Sequence, residues 1–161
     1  MNKALFSTGK DDWATPPALF NALDKEFGFT LDACANESNY KLKHYYSETS
    51  NGLIQDWSGE VVFCNPPYSR KGKQSEWIKK SYEESLKGAT VVMLIPARTD
   101  TKAFHNLIFN KAAEIRFIRG RVKFEVDGQP QDAAPFPSMI VVFRGITNST
   151  VVSTYEYKEN K

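Results

Sequence analysis

The stretch Val61-Val62-Phe63-Cys64-Asn65-Pro66-Pro67-Tyr68 decides how this chain is interpreted. Its first four residues form a continuous apolar run, which is typical of a strand that is buried on both faces. The two prolines cannot join a ladder of backbone hydrogen bonds, so the strand has to end before them. A loop that carries Asn65 and Tyr68 therefore begins at the carboxyl end of a buried strand.

Helical and strand patterns alternate on both sides of this strand. Apolar residues recur at helical spacing in three segments, and short apolar runs indicate strands between them. The predicted helices are Thr15–Phe27, Gln74–Leu86 and Thr101–Asn110, and the predicted strands are Phe29–Cys34, Val61–Cys64, Thr90–Ile95, Glu114–Ile118, Arg121–Val126 and Met139–Phe143. We expect Thr15 to cap the first helix and Gly28 to end it.

This alternation predicts an α/β fold with a mainly parallel sheet, covered on both faces and finished by an antiparallel hairpin. The last two strands are expected to pair through the turn at Asp127-Gly128 and a proline-containing loop. No repeat or linker divides the 161 residues, so we predict one domain over 1–161, with a core of about 12–145 and a polar tail at 146–161. In such sheets ligands bind beyond the carboxyl ends of the strands, where Asp32 and Asn65 both lie.

Composition places the chain among globular proteins. Charged residues make up 25% of it and apolar residues 41%, and no run approaches the roughly 20 apolar residues of a membrane span. The polar start of the chain does not resemble a signal peptide, so we expect a cytoplasmic protein. Cys34 and Cys64 lack the spacing of a disulfide framework or a zinc site, so we expect two buried thiols and no metal.

Basic residues are clustered, although the net charge is only +2. Residues 1–60 carry a charge of −4, whereas Ser69–Lys80 carries +4 and Arg98–Lys123 carries +5. Such clusters can form a face that binds a polyanion, and a solvated basic surface is the alternative.

Asn65 and Pro66 present two oxygens that suit the activation of an amine. An exocyclic amine on a nucleobase is a poor nucleophile because its lone pair is delocalised into the ring. Two acceptors, the Asn65 side-chain oxygen and the Pro66 carbonyl, can take hydrogen bonds from both amine hydrogens and favour the tetrahedral, nucleophilic form. Tyr68 offers a flat face on which a base can stack. A rigid turn with Tyr68 packed on the core is the structural alternative.

Several ordered blocks resemble the phage-type DNA N6-adenine methyltransferases, the Dam-like enzymes. The resemblance extends from about Asp12 to Arg144. Its blocks are Asp12-Trp13-Ala14-Thr15-Pro16-Pro17, Leu31-Asp32-Ala33-Cys34-Ala35, Gly52-Leu53 with Gln55-Asp56-Trp57, Asn65-Pro66-Pro67-Tyr68-Ser69, Ile95–Thr101, Gly120–Phe124 and Ala134–Ser138.

The resemblance implies a single Rossmann-like domain that uses S-adenosylmethionine to methylate the N6 amine of an adenine flipped out of DNA. The implied catalytic residues are Asn65, Pro66, Pro67 and Tyr68. The implied cofactor residues are Thr15, Pro16 and Pro17 at the methionine end, Asp32 and Ala35 after the first strand, and Asp56 near the adenine ring. The block at Asp32 lacks the Gly-x-Gly of glycine-rich relatives.

Two acidic residues, Asp56 and Glu48, are further candidates for contact with the cofactor. Only 33 positions separate Asp32 from Asn65, which leaves room for one short crossover, so Asp56 is expected close to the site. The alternative for Asp56 is a turn-capping role before Trp57. Glu48 is the nearby candidate for the ribose hydroxyls.

The expected partner is double-stranded DNA in a bacterial cytoplasm, without a membrane or a metal, and the oligomeric state is not predicted. The residues expected to bind DNA are Arg70, Lys71, Lys73, Arg98, Arg119, Arg121 and Lys123. The Arg119-Gly120-Arg121 turn resembles a hairpin that enters a groove, with a solvated tight turn as the alternative. Sequence specificity would have to come from loops such as Ser69–Gln74 and Arg98–Val126.

Three other functions stay open on the sequence alone. Protein-glutamine methyltransferases use the same motif on a planar amide, although they normally have a glycine-rich cofactor block and a larger N-terminal domain. Methylation of the cytosine N4 amine is chemically close, although Ser or Asp is commoner there at the first motif position. A catalytically silent nucleic-acid binder of the same fold is the last alternative, and failure to bind S-adenosylmethionine would favour it.

Overall fold

The protein is built on a six-stranded sheet in which five strands point the same way. The structure, a computed structural model, describes residues 13–68 and 73–158. The strands are β1 (Leu31–Asp32), β2 (Val61–Cys64), β3 (Thr90–Pro96), β4 (Glu114–Ile118), β5 (Glu125–Val126), β6 (Gln129–Pro130), β7 (Ser138–Phe143) and β8 (Val151–Tyr155). The sheet order is β1-β2-β3-β7-β4-β8, with β7 antiparallel to both of its neighbours, and β5 and β6 form a separate antiparallel pair. The predicted α/β class with a mainly parallel sheet is confirmed.

In the described part of the chain, one α-helix covers each face of the sheet. Helix α1 (Pro17–Phe27) buries Leu19 and Leu23 in one apolar cluster, and it ends at Gly28, whose left-handed φ of 68° is one that glycine adopts without strain. Helix α2 (Gln74–Ser85) buries Trp77 and Ile78 in the other cluster. The ends of both helices lie within two residues of their predicted positions.

Strand β3 shows why the apolar strands are continuous. Val91 and Met93 belong to the cluster under α2, whereas Val92 and Leu94 belong to the cluster under α1. Because successive side chains point to opposite faces, a strand covered on both sides has to be apolar at every position. The prediction that both faces are covered is therefore confirmed at this strand.

An antiparallel hairpin is present, but the predicted pairing of Arg121–Val126 with Met139–Phe143 is wrong. The hairpin comprises β5 and β6 around Asp127 and Gly128, whose φ values of 53° and 77° fit a two-residue hairpin turn. Residues 121–124 are not part of it because Val122 and Phe124 are buried in the α1 cluster. Strand β7 pairs with β3 and β4 instead of with β5, since its six buried residues require a central position in the sheet.

One further element differs from its prediction, and the tail adds a strand about which no prediction was made. The predicted helix Thr101–Asn110 is mainly a π-helix over Phe104–Ile108, in which the Phe109 amide donates to the Phe104 carbonyl at 2.9 Å. The tail 146–161 was expected to be polar, and it contributes β8, which pairs parallel with β4 at the edge of the sheet. Within the tail, Tyr155 packs against the α1 cluster, which explains why this segment is held on the sheet.

Other sequence expectations concern membranes, metals and thiols. Across 13–68 and 73–158, no helix is long and apolar enough to cross a membrane. The same residues contain no group of three or more His, Cys, Asp or Glu side chains that could hold a metal ion. Cys64 is fully buried, whereas Cys34 was expected to be buried and is only partly so.

Candidate active site

Most of the residues that the sequence singled out lie at one end of the sheet, beyond the carboxyl ends of the parallel strands. Strands β1, β2, β3 and β4 all have their carboxyl ends there, because they point the same way. Asp32 is the last residue of β1, Asn65 follows β2, Arg98 lies two residues beyond β3, and Arg119 follows β4. The register of the parallel strands thus brings together residues that lie far apart in the sequence.

A cavity of about 630 Å³ opens at this end of the sheet, beside the carboxyl ends of β1 and β2. Its volume falls in the range of small-molecule sites. Three of the predicted cofactor residues, Thr15, Asp32 and Ala35, line the cavity, and Asn65 and Pro67 of the predicted catalytic motif line it too.

Asn65 is held by the segment that precedes α1. Its side-chain nitrogen donates to the Trp13 carbonyl at 2.8 Å and to the Thr15 hydroxyl at 3.0 Å. A carbonyl can only accept, so the contact with Trp13 fixes which end of the amide is the nitrogen. Thr15 does not cap α1 as predicted: Pro16 takes the N-cap position without a side-chain hydrogen bond, and the Thr15 hydroxyl holds Asn65 instead.

Tyr68 packs inward and contacts the remaining end of the Asn65 amide. Its hydroxyl lies 2.5 Å from Asn65 Oδ1 and 3.0 Å from the Leu94 carbonyl oxygen, so it can donate to either acceptor. The ring meets Phe124 and Phe136 in edge-on contacts, with centroids 5.5 and 5.6 Å away. Burial raises the pKa of the Tyr68 hydroxyl well above its usual value, which keeps it protonated as a donor. In this conformation Tyr68 is packed on the core, as the structural alternative had it.

Asp32 is a buried carboxylate in the cavity wall. Its side chain is only 2% exposed, and its Oδ2 accepts the backbone N–H of Lys41 at 3.0 Å. Burial raises the pKa of Asp32 to about 6, although backbone hydrogen bonds from Lys41 and Cys34 partly oppose the shift. A cation placed in the cavity would favour the ionised form of this group.

Asp56 does not border the cavity, and its contact with the cofactor stays a prediction. Its carboxylate is exposed, accepts the Ser58 N–H at 2.9 Å and lies 3.5 Å from Lys87 Nζ. Hydrogen bonds from Ser58 lower the pKa of Asp56 to about 2. The adjacent Trp57 is fully buried, and Asp56 caps the turn at the surface, the role named as its alternative.

Gly52 brings the loop before β2 against the end of β1. A Cβ atom at this position would lie 2.3 Å from the Ala33 carbonyl oxygen, so only glycine fits. The Trp57 indole N–H donates to the Gly52 carbonyl at 3.0 Å, and the Trp57 amide donates to the buried Glu84 carboxylate at 2.5 Å. Lys80 lies 3.6 Å from Glu84 and offsets its charge. These contacts fix one wall of the cavity.

The other predicted site residues divide between the cavity and its surroundings. Pro16, Pro17 and Pro66 do not border the cavity, and Pro66 is buried. Tyr68 lies beside the cavity through its contact with Asn65. Glu48, the candidate for the ribose hydroxyls, does border it.

The described basic residues predicted to bind DNA are all exposed. They are Lys73, Arg98, Arg119, Arg121 and Lys123. Arg121 donates to the Ala134 carbonyl at 3.1 Å, and the guanidinium of Arg119 lies 4.0 Å from the Glu156 carboxylate. Arg70 and Lys71, together with most of the loop Ser69–Gln74, lie outside the described residues.

Apart from Glu48, sequence reasoning missed the part of the wall that residues 36–51 provide. Segment 44–46 runs beside β1, where the Asp32 amide donates to the His44 carbonyl and the Tyr46 amide donates to the Asp32 carbonyl, both at 3.0 Å. This pairing brings Lys41 and Tyr46 to the cavity, which Trp13 also borders. The only signal for the arrangement was the Asn51-Gly52 turn, because the segment has no apolar period.

A comparison of the whole sequence with known families finds one family model that matches nearly all of it. The family model described as DNA N-6-adenine-methyltransferase (Dam) matches residues 3–161. The chain belongs to this family. The DNA N-6-adenine-methyltransferase of Haemophilus phage HP1 (strain HP1c1) is 33% identical over 160 residues, which cover 93% of this chain and 91% of the relative. The protein of the same name from Escherichia phage T1 is 34% identical over 121 residues, which cover 74% of this chain and 49% of the relative.

Membership in the Dam family confirms the prediction of an adenine-specific DNA methyltransferase of phage type. A Dam methyltransferase requires a methyl donor, and the cavity beside Asn65 is the candidate site for it. The family match gives no role to individual residues of this chain.

Proposed function

We propose that this Dam-family protein transfers the methyl group of S-adenosylmethionine to the N6 amine of an adenine flipped out of double-stranded DNA. The observation that carries the proposal is the position of the oriented Asn65 amide. It borders the same cavity as the buried Asp32 carboxylate, so an acceptor for an amine lies beside a site for a cationic donor.

The residues of the cavity fit S-adenosylmethionine. The Asp32 carboxylate can pair with the ammonium group of its methionine part, and Glu48 can accept hydrogen bonds from its ribose hydroxyls. Trp13 and Tyr46 give the wall apolar surface for the adenosyl part. When bound, this cofactor supplies an electrophilic methyl group on a sulfonium sulfur.

The chain's own residues orient the target amine. The Asn65 oxygen and the Pro66 carbonyl accept one amine hydrogen each, which frees the nitrogen lone pair to attack the methyl carbon. For this, Tyr68 has to release the Asn65 oxygen, and its proton can turn to the Leu94 carbonyl 3.0 Å away. Positioning the amine against the methyl group lowers the barrier without a strong general base. One amine proton is lost to solvent as the carbon–nitrogen bond forms and the carbon–sulfur bond breaks.

The raised pKa of Asp32 predicts that cofactor binding depends on pH. The ordinary value is 3.8 and burial raises it to about 6, so the carboxylate is lost as the pH falls through 6. At pH 5 about a tenth of it is ionised, and we expect the affinity for S-adenosylhomocysteine to be about tenfold lower than above pH 7. Calorimetry across this range measures the effect.

Two variants serve as controls for this pH dependence. Asp32→Asn should bind the ligand weakly with little change between pH 5 and 7, whereas Glu48→Gln, altered in the same cavity, should keep the dependence. Because the folded pKa lies above the ordinary one, the stability that protonated Asp32 contributes is lost as the pH rises through 6. Asp32→Asn should therefore not lower the melting temperature at neutral pH. If Asp32→Asn shows the same change of affinity with pH as the wild-type protein, a group other than Asp32 causes the pH dependence.

Neutralising Arg119, Arg121 and Lys123 together tests whether the loop after β4 contacts DNA phosphates. Each lost phosphate contact should lower the slope of log affinity against log salt by about 0.9, so the triple glutamine variant should lose about 2.7. Cofactor affinity and melting temperature should stay close to wild type. The control replaces Lys25, Lys79 and Lys111, none of which follows the carboxyl end of a strand. Equal slopes for both triple variants would show that the loop points away from DNA.

Methylation-aware sequencing of DNA from cells that express the protein tests the proposed function and finds the target site. We expect N6-methyladenine in a defined context in cells with the wild-type protein and none in cells with Asn65→Ala. Methylation at cytosine N4, or none with the wild-type protein, would contradict the proposal.

A further inference from the structure

Lys41 is a half-buried cation in the wall of the cavity. Among the residues that the structure describes, none forms an ion pair within 4.0 Å or a hydrogen bond with its ammonium group. Lys73 also borders the cavity, but it is exposed and water can solvate it. Lys41 is therefore a charge that the protein holds partly out of water without a direct partner.

The surroundings of Lys41 place two opposite charges on one wall. Its backbone N–H binds the Asp32 carboxylate at 3.0 Å, so the two side chains start from adjacent points. Burial lowers the pKa of Lys41, while the charges of Glu125 and Asp32 raise it. A half-buried ammonium without a direct partner is unfavourable, and a carboxylate on a ligand would offset that penalty.

A free α-amino acid group carries the complementary pair of charges. Its ammonium suits Asp32 and its carboxylate suits Lys41. We infer that Lys41 binds the carboxylate of the methionine part of S-adenosylmethionine, while Asp32 binds the ammonium group of the same part. This assignment rests on the proposed function, and it names the residue that recognises one end of that cofactor.

A different role for Lys41 makes a different prediction. If Lys41 only supported the charge of Asp32, its loss would weaken every ligand with an ammonium group to the same extent. If it binds the carboxylate, its loss matters only for ligands that carry one. S-adenosylmethionine and decarboxylated S-adenosylmethionine differ in that group alone and therefore separate the two roles.

The experiment measures the binding of both ligands to the full chain by calorimetry. The wild-type protein should bind S-adenosylmethionine about 10- to 100-fold more tightly than the decarboxylated form, the ratio expected for one charge-assisted hydrogen bond. In Lys41→Met this ratio should fall to near one, with little change for the decarboxylated ligand. Lys41→Arg should retain most of the ratio, and Lys43→Met, at an exposed lysine two residues away, should keep the wild-type ratio.

The possible outcomes separate this inference from the proposed function. Equal losses for the two ligands in Lys41→Met, or a wild-type protein that does not distinguish them, would overturn the role of Lys41 and leave the cofactor assignment intact. Thermal melting of each variant with 5′-methylthioadenosine, which lacks the whole amino-acid part, checks that the adenosyl site is folded. A wild-type protein that binds none of the three ligands would overturn the proposed cofactor, and the inference with it.

Discussion

Replacing Asn65 with alanine is expected to reduce methyl transfer to DNA by about 1,000-fold or more, while the affinity for S-adenosylhomocysteine stays within several-fold of wild type. The reason is that, in the proposed mechanism, the Asn65 oxygen acts on the target amine as it becomes a nucleophile, whereas other residues of the cavity hold the cofactor. The Asn65 nitrogen contacts Trp13 and Thr15, so a small effect on the cofactor is included in this expectation. Single-turnover rates and calorimetry measure the two quantities.

A matched control for this variant is Asn148→Ala. Asn148 is exposed in the loop between β7 and β8, at the end of the sheet opposite to the cavity. Its replacement should change neither the rate nor the affinity. An Asn65→Ala protein that folds, binds the cofactor and keeps near-full turnover would show that the amine is not activated at this position.

The second large effect is expected at Tyr68, where two substitutions separate the ring from the hydroxyl. Tyr68→Phe keeps the ring between Phe124 and Phe136 and removes the donor to the Asn65 oxygen, so turnover should stay within about tenfold of wild type. We propose that the flipped base stacks on the Tyr68 ring, which is worth about 1–3 kcal/mol per base. Tyr68→Ala removes this ring and should lower kcat/KM by about 10- to 100-fold.

Melting temperatures are needed for both Tyr68 variants because the alanine also leaves a void beside Phe124. If Tyr68→Phe is as damaged as Tyr68→Ala while both remain folded, the hydroxyl and its bond to Asn65 carry the function in place of the ring face. If neither variant loses activity, Tyr68 stays packed inward during the reaction and no base stacks on its ring.

The parts of the site that the sequence predicted depend on local signals. The apolar run of β2 followed by two prolines determines where the strand ends and hence where Asn65 lies. The apolar pattern around Leu31 and Asp32 likewise marks β1, and parallel pairing then brings Asp32 and Asn65 to one edge. Neither inference required knowledge of a distant contact.

The parts that the sequence did not predict depend on distant contacts. Lys41 reaches the cavity because segment 44–46 pairs with β1, and no periodic pattern precedes that pairing. The position of Asp56 at the surface, outside the cavity, could not be predicted because distance along the chain does not show on which side of the buried Trp57 it emerges.

Charge counting along the chain failed for a similar reason at Arg116. This residue was counted in the basic stretch 98–123, but its guanidinium lies 2.7 Å from Glu26 and 3.1 Å from Glu114. The hydrogen bonds with Glu26 raise its pKa further and lower that of Glu26. Its charge is therefore balanced within the fold, and only the structure separates it from the exposed Arg119 and Arg121.

S-adenosylmethionine with a deuterated methyl group shows which base receives the methyl group and whether this donor supplies it. The purified protein is incubated with this donor and unmethylated duplex DNA, and the DNA is then digested to nucleosides for mass spectrometry. With the wild-type protein we expect N6-methyldeoxyadenosine that carries the deuterated group, and with Asn65→Ala we expect none. A label on cytosine, an unlabelled product, or equal labelling by Asn65→Ala would contradict this expectation.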